Sequence, residues 1–292
     1  MMDNLFGRSI FPNIYRQTRC IPYPIIKNLF ISIFQNLPID NENIRLADIG
    51  CGCGRLLPGL LATPKKCEVI GADISQSMLE TVPKWITKKQ NVKLFNTDCR
   101  IKSAFESNSF DMILLHWVLN TTESWEEIIK NVLKWKKDNG AIIWFEEKSD
   151  LYSAIDGNFS SDGFYSQSEI HYDFWDTWYK SLGDNGDKAI LSNRKGLTMN
   201  SSTSKTILES FNYKVVTLNN FKQTWRITVN FPWIVQNVLL YRAFSNFWLI
   251  PNHNWNSSMK KIISFMSNHE NEMSFPIILK FQSTPVIAIP TI

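Results

Sequence analysis

Short apolar runs that end in a polar side chain recur along the first half of the chain. Each run has the length of a buried strand, and Trp125 to Lys137 has the apolar spacing of a helix, which Asn139–Gly140 is predicted to end. A fifth apolar run, Ala141 to Phe145, follows. Strands that alternate with helices favour a parallel sheet covered by helices. The first four predicted strands are Leu46–Ile49, Glu68–Asp73, Val92–Asp98 and Phe110–Leu115.

The first predicted strand runs into three glycines at every second position, Gly50, Gly52 and Gly54. Glycine has no Cβ, so this backbone can adopt positive φ and approach a ligand closely. A helix is predicted to begin within Leu56 to Leu61, and the first N–H groups of a helix can bind an anion. The pattern therefore predicts a site for a nucleotide-like ligand.

Acids follow the glycine turn at the ends of the next strands. The spacing from Gly50 to Asp73 is close to the ~20 residues expected for an acid that binds a ribose hydroxyl. Asp98 ends the third strand, and His116 follows the fourth. Because ligands bind at the carboxyl edge of a parallel sheet, we expect these side chains to converge there.

In the order of these motifs, residues 44 to 147 resemble the class I S-adenosylmethionine-dependent methyltransferases. A Rossmann-type NAD enzyme would instead show G-x-G-x-x-G, whereas here the third glycine comes one residue sooner. The motifs that carry the resemblance are the glycine loop Asp48–Gly54, the ribose-binding segment Gly71–Ser75, the adenine-contacting Thr97–Cys99 and the fourth strand from Phe110.

The resemblance implies a fold, a cofactor and a set of cofactor contacts. The fold would be a doubly wound, Rossmann-like α/β sheet of seven strands with the last strand antiparallel. The cofactor would be S-adenosyl-L-methionine, with Arg16 as a further candidate for its carboxylate. The implied contacts are Tyr15, Arg19, Asp48, Gly50, Cys51, Gly52, Asp73, Ile74, Met78, Asp98, Cys99, His116 and Trp117.

The chain has 292 residues, which exceeds the ~250 at which single cores stop growing, so we expect one core with an added lobe. An apolar helix from Ile25 to Leu37 is expected to lie over the cofactor. Tyr213–Phe221 and Pro285–Pro290 are predicted as the last strands. The predicted organisation is a helical lid at 1–43, the core at 44–147, an aromatic cap at 148–204, and at 205–292 the rest of the core with a helical insertion at 231–270.

Composition excludes several other classes of protein. A formal charge of +4, spread along the chain, does not favour nucleic-acid binding. Without an apolar run of 18 residues or a signal-peptide core, we expect a cytoplasmic protein with no membrane span. Five cysteines do not predict a disulfide framework, and the C-x-C pair at Cys51 and Cys53 lacks the partners of a zinc site, so no metal is expected.

Two histidines and a tyrosine are candidates for catalysis. His116 lies at the sheet edge, and the usual imidazole pKa of ~6.5 suits proton removal. His171 and Tyr172 lie in the predicted cap. Of Glu146 and Glu147, alternation along the strand would direct only one inward. Four tryptophans could form the wall of the acceptor site: Trp117, Trp175, Trp178 and Trp248. Of these, Trp175 and Trp178 share a helical face with little obvious core to fill.

The sequence therefore favours an enzyme that methylates an O or N atom, including a carboxylate, of a small and partly apolar metabolite. The fourth strand ends in His-Trp rather than the Asn/Asp-Pro-Pro-aromatic sequence of base methyltransferases, so no nucleic-acid partner is expected. Two alternatives stay open: a methyltransferase of peptide C-terminal carboxylates, and an inactive partner subunit that only binds the cofactor. The acceptor, the pathway and the oligomeric state are left undetermined by the sequence.

Overall fold

The structure is a computed structural model, and it describes residues 15–16, 18, 21–37, 42–119, 122, 124–149, 151, 169–183, 202–240 and 250–291. The chain forms two compact units. The first comprises the described residues within Met1–Glu147, Lys195–Gln223 and Ser283–Ile292. The second comprises those within Lys148–Arg194 and Thr224–Gln282.

The described residues form an eight-stranded sheet with the order β3-β2-β1-β4-β5-β8-β6, in which β7 also pairs with β8. The first five strands pair in parallel, and β6 pairs antiparallel with β8. The strands are β1 Asn43–Ile49, β2 Lys66–Asp73, β3 Val92–Asn96, β4 Phe110–Leu115, β5 Lys136–Ser149, β6 Tyr213–Thr217, β7 Gln223–Val229 and β8 Ile277–Pro290.

The sheet confirms the predicted α/β class and differs from the prediction in its later strands. β7 was not predicted, which makes eight strands instead of seven. The predicted sixth strand ends at Thr217, and β8 begins at Ile277 instead of Pro285. The outer part of β8 alternates buried and exposed side chains, and a strand of that kind carries a weaker hydrophobic signal than the buried strands do.

The helices are α1 Tyr23–Asn36, α2 Leu57–Leu61, α3 Gln76–Leu79, α4 Lys84–Thr87, α5 Trp125–Trp135, α6 Glu169–Leu182, α7 Ser202–Ser210, α8 Phe231–Ile234 and α9 Asn252–Asn268. A π-helix, Val235–Leu239, continues α8. Short 3₁₀ helices cover Asn219–Phe221 and Glu270–Glu272. Among the described helices, none is long and apolar enough to cross a membrane.

The predicted end of the fifth helix was wrong. α5 ends at Trp135, and β5 begins at the next residue, so Gly140 lies inside the strand. A Cβ on Gly140 would lie 2.8 Å from the backbone oxygen of Asp111. Close approach to the neighbouring strand therefore explains this glycine, which does not end the helix.

The N-terminal helix α1 packs beside the glycine loop. A Cβ on Gly59 of α2 would collide with Ile26 of α1, so the two helices are in close contact. Phe30 of α1 also packs edge-on against Phe145 of β5, with ring centroids 5.3 Å apart. These contacts bury one face of α1 within the first unit and hold the start of α2 in place.

The second unit has an aromatic core of its own between α6 and α9. Trp175 and Trp178 of α6 are 2% and 0% exposed, and the Trp178 ring packs against Trp255 of α9 with centroids 4.9 Å apart. The expectation that these two tryptophans lack a core to fill was therefore wrong. Trp248 lies outside the described residues.

Candidate active site

The glycine turn lies at the carboxyl end of β1 and is bonded to the end of β2. Gly50, Gly52 and Gly54 have φ angles of 71°, 55° and 67°, which favour glycine. The backbone N–H groups of Gly50 and Cys51 both donate to the carbonyl of Ala72, at 2.8 and 3.0 Å. The three glycines serve different ends, because a Cβ at Gly50 would lie 2.7 Å from Val118, and one at Gly54 would lie 3.1 Å from Leu57 and Val82.

Gly52 is the glycine that is bonded to Asp73, the acid that the sequence predicts to bind a ribose. Its N–H donates to Oδ2 of Asp73 over 2.8 Å, while the N–H of Ser75 donates to Oδ1 over 2.8 Å. Burial raises the pKa of Asp73, and these two backbone donors act against that rise. Each carboxylate oxygen keeps a lone pair, so Asp73 can still accept from a vicinal diol.

Asp48 is the second buried acid at this edge and is 3% exposed. Burial raises its pKa to about 8, helped by the neighbouring charge of Asp73 and opposed by that of Arg55. At neutral pH the Asp48 carboxyl is therefore mostly protonated and can donate a hydrogen bond. Burial therefore raises the pKa of both neighbouring acids, Asp48 and Asp73.

The end of β3 completes this side of the site. The Asn96 side chain donates to the carbonyls of Asp73 and Ile74, at 3.1 and 2.9 Å. Asp98 forms a bidentate pair with Arg100, with Nη2 2.5 Å from Oδ2, and this hydrogen bonding lowers the pKa of Asp98. Cys99 is buried, which raises the pKa of its thiol to about 12.

A cluster of four side chains lies at the ends of β4 and β5. Nη2 of Arg55 is 2.6 Å from Nε2 of His116 and 3.4 Å from Oε1 of Glu147. His116 Nε2 lies 3.0 Å from the same Glu147 oxygen, and the Trp117 indole donates to Oε2 over 2.9 Å. The side chains of His116 and Glu147 are 4% and 3% exposed, so both are almost fully shielded from solvent.

The cluster determines the charge of Glu147 and the role of His116. Burial alone would raise the pKa of Glu147, but Arg55, His116 and the Trp117 hydrogen bond lower it to about 2. A guanidinium only donates, so a His116 ring without a proton on Nε2 accepts there from Arg55, whereas a ring with a proton on Nε2 donates it to Glu147. In both states Nε2 is already occupied.

The backbone after β4 is strained at Trp117. This residue has a φ of 59°, which is unusual for a bulky side chain. The turn lets the Trp117 indole reach Glu147 and places Val118 against Gly50. The strain therefore links the cluster to the glycine turn, and such strain is concentrated at functional sites.

A cavity of about 360 Å³ opens beside the glycine turn within the first unit, and its lining includes Arg16, Tyr23, Cys53 and Arg55. The guanidinium of Arg16 donates to the carbonyl of Thr81. Arg16 also lies close enough to Cys53 to oppose the rise that burial causes in the pKa of that thiol. Two cations therefore flank the start of α2.

Comparison with known proteins agrees with this geometry. The methyltransferase domain family matches residues 47–144. The chain is 32% identical over 114 residues to an uncharacterized methyltransferase of Schizosaccharomyces pombe, an alignment that covers 36% of this chain and 40% of that protein. It is 26% identical over 165 residues to a malonyl-[acyl-carrier protein] O-methyltransferase of Halalkalibacterium halodurans, covering 56% of this chain and 53% of that protein.

Over this region the chain is similar to the class I S-adenosylmethionine-dependent methyltransferases. Its fold is similar to that of the YcgJ protein of Bacillus subtilis, with a TM-score of 0.50, 15% identity, and coverage of 91% of this chain and 98% of that one. The chain spans about half or less of the length of the curated relatives described above.

The parallel part of the sheet brings most of the sequence-predicted cofactor residues to one edge. Cys51 and Met78 are buried beside the glycine turn, and a Cβ on Gly52 would lie 3.0 Å from Met78 Cε. Ile74 is 45% exposed at the end of β2. Tyr15 is half-buried in the short described segment before α1, and Arg19 lies outside the described residues.

The remaining catalytic candidates belong to the second unit. His171 is 4% exposed, its ring packs against Phe231 with centroids 4.9 Å apart, and burial lowers its pKa to about 4. Tyr172, the next residue on α6, is 47% exposed. Their catalytic roles stay predictions, as do the lid and cap roles of 1–43 and 148–204.

Arg55 is the site residue that sequence reasoning missed. It follows the third glycine directly and precedes the apolar stretch from Leu56. A lone cation between a glycine turn and an apolar helix was the available signal, because a buried charge requires a partner. Of the two adjacent glutamates, Glu147 is the buried one, with which Arg55 pairs. Among the described residues, no group of His, Cys, Asp and Glu could hold a metal ion.

Proposed function

We propose that the protein transfers a methyl group from S-adenosylmethionine to an oxygen atom of a small, partly apolar metabolite, most simply a carboxylate oxygen. The observation that supports the cofactor is the pair of backbone hydrogen bonds to the Asp73 carboxylate, one from the N–H of Gly52 and one from the N–H of Ser75. These hydrogen bonds hold the carboxylate beside the glycine turn, where the backbone carries no side chain, and this arrangement suits a ribose diol.

The residues present fit such a cofactor. Asp73 would accept from the ribose hydroxyls, and the turn around Gly52 would lie against the cofactor, because its positive φ disfavours a side chain. The Asp98 side chain is 23% exposed and is bonded to Arg100, so an adenine amino group would share this acid with Arg100. When bound, S-adenosylmethionine supplies a methyl group on a sulfonium sulfur that leaves as a neutral thioether.

The buried cluster of Arg55, His116, Trp117 and Glu147 supports an acceptor that needs no general base. His116 Nε2 is committed to Arg55 or to Glu147 in both of its protonation states. A phenol, an alcohol or an ammonium must lose a proton, whereas a carboxylate is already a nucleophile. One relative is named as an O-methyltransferase of a malonyl group on an acyl-carrier protein, which is consistent with an oxygen acceptor.

Cofactor binding is tested with the Asp73→Ala variant. Loss of the charge-assisted hydrogen bonds should weaken S-adenosylmethionine binding by about 1–3 kcal/mol, measured by calorimetry. Asp173→Ala, which removes an exposed acid of α6, is the matched control and should bind normally. Equal affinity in the Asp73→Ala variant and the wild type would remove Asp73 from the cofactor site.

Activity is tested by following S-adenosylhomocysteine formation with a panel of carboxylic acids, phenols, amines and peptides with free C-termini. Turnover on small carboxylic acids supports the proposal, and turnover on peptides alone would favour the peptide alternative. A protein that binds S-adenosylmethionine and never forms S-adenosylhomocysteine would be the inactive partner subunit.

The acceptor class is tested with the His116→Gln variant, after its S-adenosylmethionine affinity has been verified. With a carboxylate acceptor, the pH profile of kcat should keep its shape. A base role for His116 predicts instead a fall in kcat of ~10²-fold or more and loss of the low-pH limb of that profile, where the wild-type base becomes protonated. The second result would contradict the carboxylate proposal while leaving methyl transfer itself intact.

A further inference from the structure

Glu147 of β5 is bonded to side chains from two turns that precede it in the chain. Its Oε1 atom lies 3.4 Å from Nη2 of Arg55, which follows the last glycine of the turn after β1. Its Oε2 atom accepts from the indole N–H of Trp117, in the turn after β4, over 2.9 Å. One carboxylate therefore joins the turn after β1 to the turn after β4.

The Glu147 carboxylate is both charged and shielded from solvent. Its side chain is 3% exposed, and although burial would raise its pKa, Arg55, His116 and the Trp117 hydrogen bond lower that pKa to about 2. Hydrogen bonds to an ionised acceptor are stronger than neutral ones, and a low local dielectric strengthens them further. These bonds can therefore hold a backbone conformation that would otherwise be unfavourable.

The backbone of Trp117 has such a conformation. Its φ of 59° lies in the left-handed region, which a bulky residue rarely adopts. The next residue, Val118, packs over Gly50, because a Cβ on Gly50 would lie 2.7 Å from Val118 Cγ2. The N–H of Gly50 is bonded in turn to the carbonyl of Ala72 over 2.8 Å. The start of the glycine turn is therefore held between β2 and the turn after β4.

We infer that Glu147 is a positioning residue, which determines the shape of the cofactor site through Trp117 and Val118. This inference rests on the proposed function, because it requires that the turn from Gly50 to Gly52 contacts S-adenosylmethionine. Without the indole hydrogen bond, the strained turn after β4 relaxes and Val118 moves away from Gly50. The glycine turn then loses one of its two supports, and the folded protein binds the cofactor more weakly.

The test removes the donor rather than the acid, because loss of Glu147 would leave the buried Arg55 without its partner. Trp117→Phe keeps an aromatic ring and deletes only the indole N–H together with part of the ring. Calorimetric titration with S-adenosylhomocysteine should show about fivefold weaker binding, since part of the energy of the lost hydrogen bond is expressed at the site. Urea denaturation of the same variant measures its stability separately.

Trp144→Phe is the matched control. Trp144 is also a buried tryptophan of the first unit, at 1% exposure, and its indole nitrogen has no hydrogen-bond partner among the described residues. This variant loses the same atoms from a buried ring without breaking a hydrogen bond. It should therefore bind S-adenosylhomocysteine like the wild type, and an equal loss of affinity in both variants would overturn the inference.

The Val118→Ala variant tests whether Trp117 acts through the turn. It removes the side chain that covers Gly50 and should also weaken S-adenosylhomocysteine binding. If both residues act through one contact, the double variant should bind no more than about twofold more weakly than the weaker-binding single variant, whereas independent losses multiply. Multiplied losses would mean that Trp117 affects the cofactor separately from Val118, and would overturn the inference.

The same measurements separate this inference from the proposed function. If Trp117→Phe loses stability but keeps the wild-type affinity for S-adenosylhomocysteine, Glu147 only stabilises the fold, and the inference fails while the proposed function stands. If the wild-type protein does not bind S-adenosylhomocysteine, the proposed cofactor is wrong and the inference fails with it.

Discussion

Two buried carboxyl groups in the first unit have pKa values that are shifted in opposite directions. Asp48, at the glycine turn, has its pKa raised to about 8 by burial and by the charge of Asp73. Glu147, on the far side of β4, is just as buried, yet cations and donors around it bring its pKa down to about 2. Burial depth therefore does not decide the charge of an acid here; the groups placed around it do.

The two sides of the site also differ in what supplies their hydrogen bonds. On the glycine side, backbone N–H groups hold Asp73 and leave its oxygens able to accept more. On the other side, Arg55, His116 and Trp117 all converge on Glu147. The first side suits ligand binding, and the second holds the strained end of β4 in place.

The largest effect is expected from breaking the charged side. Arg55→Met leaves the buried Glu147 without its guanidinium, which should lower the free energy of unfolding by about 3–5 kcal/mol at pH 7. Urea denaturation measures this. The control is Lys93→Met, whose pair with Glu68 is exposed and should be worth under about 1 kcal/mol.

The stability of the Arg55→Met variant should also depend on pH differently from that of the wild type. The pKa of Glu147 is below its usual 4.5, so its contribution is complete above about pH 4.5 and is lost as pH falls toward about 2. Without Arg55 this loss should begin at higher pH. An Arg55→Met protein as stable as the Lys93→Met protein, with an unchanged acid limb, would show that the cluster does not control the charge of Glu147.

A smaller effect is expected on the glycine side, where the Gly52→Ala variant tests the turn whose N–H donates to Asp73. Forcing alanine into a φ of 55° should lower the free energy of unfolding by roughly 1–2 kcal/mol. The added methyl group, close to Met78, should also weaken S-adenosylmethionine binding about tenfold, which is about 1.4 kcal/mol.

Gly183→Ala separates these two effects. Gly183 has a φ of 60°, and a Cβ there would meet nothing within 4 Å, so this variant carries backbone strain alone. It should lose similar stability and bind S-adenosylmethionine normally. Equal binding by the Gly52→Ala and Gly183→Ala variants would mean that Gly52 serves only the fold.

Local sequence pattern predicted the glycine side well. Positive φ at Gly50, Gly52 and Gly54 follows from side-chain size alone, and strand ends converge because parallel strands share an edge. Each of these inferences depends on neighbours in sequence. The same holds for β1, β2, β4 and β5, whose apolar runs mark burial on both faces.

The charged side depends on pairings that sequence spacing does not encode. Arg55 and Glu147 lie on separate elements and meet only in the folded chain. The aromatic spacing of α6 was recognised, but the partner Trp255 on α9 decides that Trp178 is core. β7 escaped prediction for a similar reason, because an alternating strand is stabilised by its cross-strand partners more than by its own residues.

The smallest effect concerns Asp48 and is visible only as a function of pH. Because its folded-state pKa lies near 8, above the usual 3.8, the folded protein binds the proton more tightly, and stability falls as pH rises between these values. Asp48→Asn mimics the neutral acid and removes that dependence, so its stability relative to wild type should rise by about 1 kcal/mol from pH 7 to pH 9. Glu106→Gln, an exposed carboxylate lost from the same unit, should show a flat difference over this range. If the Asp48→Asn difference is equally flat, Asp48 is charged at neutral pH and the contrast with Glu147 fails.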